Sequence, residues 1–339
     1  MNHKITVKGR PEPTECAPDQ PMLDALLRAG VWMPNSCNQG TCGTCKLKVL
    51  GGEVDHQNSP EDILLPKERE EGYALACQAT PCSDLEVQSD ADDDGPVHFP
   101  LVDFTATVTA IEDIAQDTRR IRLLPDEYFE FGAGQSVSLQ VPGHPDHQRQ
   151  YSIASCPDDP ELELQIRREP GGLASDWWTF ESAHMGERVN LSGPLGDFTY
   201  LPDDTESPLL LLGGGTGIAP LKSIVLAALA DNPDREVWVY HGVRTRAHLY
   251  DLDFWSTLVA EHRGVHFRPS VSREEYDGCK GYVTERMLED IPSCRGWTGY
   301  ICGSDAFVDG VSAAAKRRRL APRKTYRERF TPVRSTVSA

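Results

Sequence analysis

Cys37, Cys42, Cys45 and Cys77 are the residues whose type and spacing most directly imply chemistry. The first three form C-x4-C-x2-C, and Cys77 follows alone. Thiolates suit iron–sulfur clusters or zinc. This spacing is one that holds a [2Fe–2S] cluster, which carries one electron at a time. Gly40 and Gly43, with the small Thr41 and Thr44, would let backbone N–H groups point at the sulfurs and tune the potential. The alternative is zinc on Cys42, Cys45, Cys77 and Cys82, with Cys37 spare.

Two further sets could supply the electrons. Arg149-Gln150-Tyr151-Ser152 ends a strand-like segment, and Gly171-Gly172-Leu173-Ala174-Ser175 opens a helix about 20 residues on. A pyrophosphate needs a cation and backbone N–H groups, which Arg149 and the glycine turn can provide, with a hydroxyl from Ser175. The apolar strand Leu209–Leu212 then runs into Gly213-Gly214-Gly215-Thr216-Gly217-Ile218-Ala219-Pro220. Strand, glycine turn and helix in that order make a second pyrophosphate cradle. Arg244 and Arg246 follow the next strand, where an arginine could hold the 2′-phosphate of NADP. Trp177 and Trp178 are expected to be the packing face of the helix after Ser175.

The cysteine segment resembles plant-type ferredoxins. The R-x-Y-S element with its glycine turn, and G-G-G-T-G-x-x-P, resemble the ferredoxin–NADP reductase superfamily. Cys302-Gly303-Ser304 is similar to that family's C-G-P-x-x-M element, with Ser304 and Phe307 in place of Pro and Met. Ala133 and Ser136 likewise stand where the family often has Pro and Tyr. Tyr326-Arg327-Glu328-Arg329-Phe330 resembles its E-x-aromatic ending. The resemblance implies FAD bound by Arg149, Tyr151, Ser152, Arg167, Gly172, Leu173, Ala174, Ser175 and Phe330. Tyr151 and Phe330 would lie against the flavin, and Ser152 would bond near its N5. It implies a nicotinamide dinucleotide held by Gly214, Gly215, Thr216, Gly217, Pro220, Arg244, Cys302 and Gly303. Ser152, Cys302 and Glu328 are the implied catalytic residues, with Cys302 beside the nicotinamide C4 and Glu328 an acid near the hydride path. G-x-R-T-R segments occur in NADH-using members, so NADH is expected over NADPH.

Elements must position these residues. Met22–Ala29 is expected as a helix, with Pro21 at its start and Gly30 past its end. Strands are expected over Lys4–Val7 and Lys46–Leu50, and from about residue 100 over Asp103–Ile111, Arg119–Leu124, Ser136–Val141, Gln148–Ile153, Glu161–Arg167 and Arg188–Leu191. That spacing suggests a barrel. From Pro208 the chain alternates strand and helix, the rhythm of a parallel sheet. The expected class is multidomain α+β and α/β. It comprises a β-grasp [2Fe–2S] domain (1–92), an acidic linker (93–100), an antiparallel β-barrel FAD domain (101–204), a Rossmann-like NAD domain (205–332) and a tail (333–339).

Composition fits a soluble globular chain of 339 residues, with 25% charged and 39% hydrophobic residues. No apolar stretch could span a bilayer and no secretory segment is visible, so a cytoplasmic location is expected. A net charge of −18 argues against nucleic acid and anionic membranes as partners. Residues 1–95 carry −9 of it, a surface that would serve solubility or the docking of a basic protein. Ten cysteines suggest redox or metal use rather than disulfides. Cys16, Cys82, Cys156, Cys279 and Cys294 have no motif and read as small semi-buried hydrophobes.

The whole order resembles the reductase components of bacterial oxygenases, such as benzoate or toluate dioxygenase reductase and phenol hydroxylase reductase. The resemblance implies a ferredoxin–NAD(+) reductase-like enzyme. It would pass electrons from NADH through FAD and the cluster to a terminal oxygenase, expected to be a Rieske non-haem iron, ring-hydroxylating one. A diiron monooxygenase, a cytochrome or a free ferredoxin are alternative acceptors. A redox-sensing interaction protein is an alternative class.

Overall fold

The computed structural model describes residues 1–89, 98–179, 183–276 and 281–330. Positions 93–97 of the linker, the 333–339 tail and Cys279 lie outside the described residues. Two compact units emerge, one of residues 1–102 with 193–197, the other of 103–192 with 198–330.

The first unit holds β1 (His3–Val7), β2 (Thr14–Cys16), α1 (Met22–Arg28), β3 (Lys46–Gly51), β4 (Val54–Asp55), α2 (Pro66–Glu70), β5 (Tyr73–Leu75), β6 (Thr80–Pro81) and β7 (Leu85–Gln88). Five of the strands form a sheet in the order β2-β1-β7-β3-β5, with β1 and β7 parallel. Pro21 precedes α1, and Gly30 follows with φ +71, a left-handed stop just past the helix end. Met22, Leu23, Leu26 and Leu27 pack with Ile5, Leu47 and Val87. The helix lying on a mixed sheet is the expected β-grasp.

The second unit begins with an antiparallel sheet. It contains β8 (Val102–Ala115), β9 (Thr118–Pro125), β10 (Ser136–Val141), β11 (His144–Ser152), β12 (Leu162–Arg167) and β13 (Arg188–Leu195), with α3 (Leu173–Thr179) before β13. The order is β11-β10-β13-β8-β9-β12. A bridge from Ile153, next to β11, to Leu164 of β12 brings the two edge strands together, so the sheet rolls toward a barrel. β8 runs four residues past the expected Ile111, with register shifts at Val108/Ala110 and Asp113/Ala115. Such bulges bend a long strand around a barrel without ending it.

The same unit continues as β14 (Leu209–Gly214), α4 (Ile218–Asp231), β15 (Val237–Val243), α5 (Leu252–Glu261), β16 (Val265–Val271), α6 (Val283–Asp290), β17 (Thr298–Gly303), α7 (Asp305–Arg317) and β18 (Thr325–Arg329). Its sheet, β16-β15-β14-β17-β18, is parallel throughout. Leu209–Leu212 are fully buried in the central strand, as a continuous apolar run requires. α4 starts at Ile218 and takes Pro220 into its first turn, where proline is tolerated because an N–H there has no partner. Lys316 and Arg317 close the last turn of α7, complementing its dipole.

A buried ion cluster ties the barrel strands to the α/β layer. Lys222 Nζ lies 2.8 Å from Glu163 Oε1 and 3.2 Å from Asp251 Oδ2, and Arg120 pairs with both carboxylates. Burial works to raise the Glu163 pKa, but the Lys222 ammonium and Arg120 guanidinium outweigh it and hold the carboxyl below its usual range. Lys222→Met leaves two buried carboxylates undercompensated, so a loss of about 3–5 kcal/mol is expected in denaturant unfolding. A loss below about 1 kcal/mol would mean the cluster is solvated rather than buried.

Candidate functional site

The four expected sulfur ligands sit on the loop between α1 and β3 and just past β5. Cys45 and Cys77 are buried, Cys37 and Cys42 half-buried. The thiols neighbour one another in two pairs, Cys37 with Cys42 and Cys45 with Cys77. The Gln39 N–H points at Cys37 Sγ (3.4 Å), and backbone groups of Thr41 and Thr44 bond Cys37 and Cys42. Among the described residues no three ligating side chains surround one point. Two thiol pairs lined by N–H donors fit a two-iron cluster. Cys156 is half-buried as expected, whereas Cys16 and Cys294 are fully buried and Cys82, a ligand in the zinc alternative, is exposed.

In the second unit, strand register builds the other centre. His241 of β15, Gly213 of β14, Cys302 of β17 and Glu328 of β18 stand side by side in one row across four parallel strands. Ser152, at the end of barrel strand β11, reaches this row. Its Oγ donates to Glu328 Oε2 at 3.3 Å, and Cys302 Sγ lies 3.6 Å from the same oxygen. Ser152, Cys302 and Glu328 thus come together although 176 residues separate the first from the last. Burial pushes the Glu328 carboxyl up to about 7, against the pull of its bonds to Cys302 and Ser152. Burial, then the neighbouring Glu328, holds the Cys302 thiol protonated. Phe330 is half-buried, anchored by its N–H on the Gly303 carbonyl (2.8 Å). Tyr151 is half-buried beside Ser152.

The two glycine turns flank this centre. Arg149 is half-buried, with its guanidinium on the Gln148 carbonyl. Leu173 is exposed, and Ala174 and Ser175 are buried. The Ser175 hydroxyl accepts from Glu169 N–H (3.0 Å), bracing the turn itself. A Cβ on Gly172 would meet that hydroxyl at 2.9 Å. These residues fit a pyrophosphate with turn N–H groups and the nearby arginine. In the second turn Gly217 is obligatory, because a Cβ there would sit 2.3 Å from the Cys302 carbonyl. The tight approach carries the turn past β17, and Pro220 is buried behind it. Arg167 is exposed and reaches toward Gly215, where a Cβ would lie 3.8 Å from its guanidinium. Thr216 is half-exposed at the turn, as a ligand contact requires. Phe307, standing in place of Met, lays its ring against Gly214, Gly242 and Gly303. Trp178 is a fully buried barrel-core residue, consistent with the expected packing face.

The 2′-phosphate candidates part company. Both are exposed, but the Arg246 side chain is engaged. The Arg246 N–H donates to the Glu274 carboxylate, and its guanidinium bonds the Glu275 carbonyl (3.2 Å) and covers the Tyr276 ring. Glu274 and the buried His241 were not foreseen. His241 lies inside β15, and its immediate sequence offers no signal of a role.

Comparison with known proteins matches three family models: a 2Fe-2S iron-sulfur cluster binding domain over residues 5–82, an oxidoreductase FAD-binding domain over 105–200 and an oxidoreductase NAD-binding domain over 211–313. An aromatic O-demethylase reductase subunit from Amycolatopsis sp. is 52% identical over 98% of this chain and 99% of its own length. A naphthalene 1,2-dioxygenase system ferredoxin–NAD(P)(+) reductase component from Pseudomonas putida is 34% identical, covering 92% of this chain and 93% of its own length. The solved Amycolatopsis cytochrome P450 reductase GcoB superposes with a TM-score of 0.92 at 51% identity, covering 97% of this chain and 99% of its own length.

Proposed function

The chain belongs to the family of oxidoreductases that join a [2Fe–2S] domain to FAD- and NAD-binding domains, and we propose from this that it is the NADH-dependent reductase component of an aromatic oxygenase system. The observation that carries the chemistry is the convergence of Ser152, Cys302 and Glu328 at the end of the parallel sheet. When bound, FAD takes two electrons as a hydride and releases them singly, and the cluster carries one at a time. The residues of this chain supply binding, orientation and proton control. The turn at 213–217 would hold the dinucleotide, and Arg149 with Gly172–Ser175 the flavin pyrophosphate. Cys302, protonated and buried, offers a neutral wall beside the hydride path. Glu328 Oε2 can hold a proton near neutral pH and exchange it with Ser152 Oγ. The matched spans fall within the divisions 1–92, 101–204 and 205–332, which we retain.

NADH is favoured because the end of β15 is occupied by acid. Glu274 bonds the Arg246 N–H, and the Arg246 side chain is held on the 275–276 backbone and ring. A 2′-phosphate there would meet a carboxylate. Glu274→Ala is expected to raise the NADPH-to-NADH ratio of kcat/KM by roughly tenfold, the effect of one charge contact. An unchanged ratio assigns Glu274 only to bracing the loop.

The acceptor is a terminal oxygenase. The higher identity to a reductase of an aromatic O-demethylase, and to a cytochrome P450 reductase, favours a haem oxygenase over the Rieske or diiron types. Protein loaded with FAD and cluster should reduce cytochrome c rapidly with NADH, and should drive substrate-dependent turnover of a haem O-demethylase. Absence of any NADH-dependent turnover in loaded protein would favour the redox-sensor alternative. No helix among the described residues is long and apolar enough to cross a membrane.

A further inference from the structure

His241 is fully buried, and no step above uses it. Its Nε2 lies 3.0 Å from the Gly215 carbonyl oxygen. A carbonyl only accepts, so Nε2 carries the proton. Nδ1 is then a bare lone pair, and it is buried with no hydrogen-bond partner among the described residues. Burial pushes this imidazole down to about 4, so it is neutral at ordinary pH. The ring is wedged in place. The Tyr250 ring meets it edge-on, with centroids 5.2 Å apart, and the Tyr250 hydroxyl donates to Gln165 Oε1 at 3.1 Å. Gln165 in turn donates to Glu163 and Asp251 of the buried ion cluster. One imidazole thus links the barrel-anchored cluster to the first residue of the turn.

Gly215 has φ +57, the left-handed residue at which the chain leaves β14. Its carbonyl also accepts from the Ile218 N–H. A peptide unit is planar and trans, so its C=O and the following N–H point in opposite directions. Pinning the Gly215 carbonyl inward on His241 therefore turns the Thr216 N–H outward.

We propose that His241 is a positioning residue for the nicotinamide dinucleotide: it holds the Gly215–Thr216 peptide so that the Thr216 N–H faces the pyrophosphate. The inference rests on the reading of residues 213–217 as the dinucleotide cradle. His241→Phe keeps a ring of similar volume and removes the donor, and His241→Gln keeps a donor. In the holoprotein, His241→Phe is expected to raise the NADH KM and the calorimetric Kd for NAD+ about tenfold, with kcat at saturating NADH and the flavin and cluster absorbance within about twofold of wild type. His241→Gln is expected to recover most of the affinity. Thr216→Pro removes the N–H itself and should match His241→Phe, with the double variant adding less than about twofold. If Thr216→Pro loses affinity and His241→Phe does not, or if Gln is no better than Phe, the positioning role is overturned while the cradle stands. If Thr216→Pro binds NAD+ as wild type does, the cradle reading itself falls. Should His241→Phe fail to load FAD, the Gln variant and the proline variant still decide between these outcomes.

Discussion

Cys45→Ala is expected to abolish NADH-driven cytochrome c reduction, by more than about a hundredfold, while ferricyanide reduction through the flavin stays within about twofold. Cys45 is 5% exposed in the core of the first unit and touches the Cys77 thiol, so its loss removes one of the two sulfurs of that pair. Alanine fills most of the site, and the β-grasp core around Leu47, Ala76 and Leu75 is left intact. The check is parallel assays with both acceptors, together with iron content and the flavin spectrum. If both activities fall together with FAD retained, the order of the relay is wrong. Cys37→Ala should be as damaging as Cys45→Ala, since two thiol pairs require it. Under the zinc alternative it would be silent.

Glu328→Gln should flatten the pH dependence of flavin reduction by NADH. The sign follows from charge. The ring that gives up a hydride becomes positive, and a carboxylate beside it is stabilising. The rate in the wild type therefore rises with pH, with its midpoint near the carboxyl pKa of about 7. The glutamine variant should be pH-independent and about tenfold slower at pH 8, within the range of single acid–base groups. Stability moves the other way. The folded pKa is raised from 4.5 to about 7, so the folded state binds this proton more tightly than the unfolded chain. The wild type then loses stability as pH rises from about 4.5 to 7, by up to about 3 kcal/mol. Glu328→Gln should escape that loss, which comparison of unfolding midpoints at pH 5 and pH 8 will read. An inflection near 7 that survives in the variant would assign the titration to another group.

Much of this was legible because the chemistry is carried by short segments. C-x4-C-x2-C, Arg149–Ser152 and Gly213–Pro220 each lie within ten residues or fewer, so backbone geometry alone fixes what they can do. Ser152, Cys302 and Glu328 were each legible only through resemblance, and the row that joins them is a product of strand register. The ion cluster was not legible at all. Glu163 and Gln165 occupy the polar positions of an alternating strand, which suggests an outward, solvated face. Both are buried because Lys222, Asp251 and Tyr250 of the α/β layer cover that face. Periodicity reports one face of a strand and says nothing of what a later segment lays over the other. His241 escaped for the same reason, since a histidine within a strand carries no sign that a carbonyl 26 residues earlier turns toward it.

The parallel edge strand β18 has a consequence for biosynthesis. Ser152 and Cys302 come earlier in the chain, yet the carboxylate they share arrives at residue 328, on the edge strand β18. Domains fold as they emerge, the N-terminal ones first. A nascent chain can therefore complete its iron–sulfur fold and most of its flavin barrel before this carboxylate has been made. The contact of Ser152 and Cys302 with Glu328 closes only after Glu328 has left the exit tunnel.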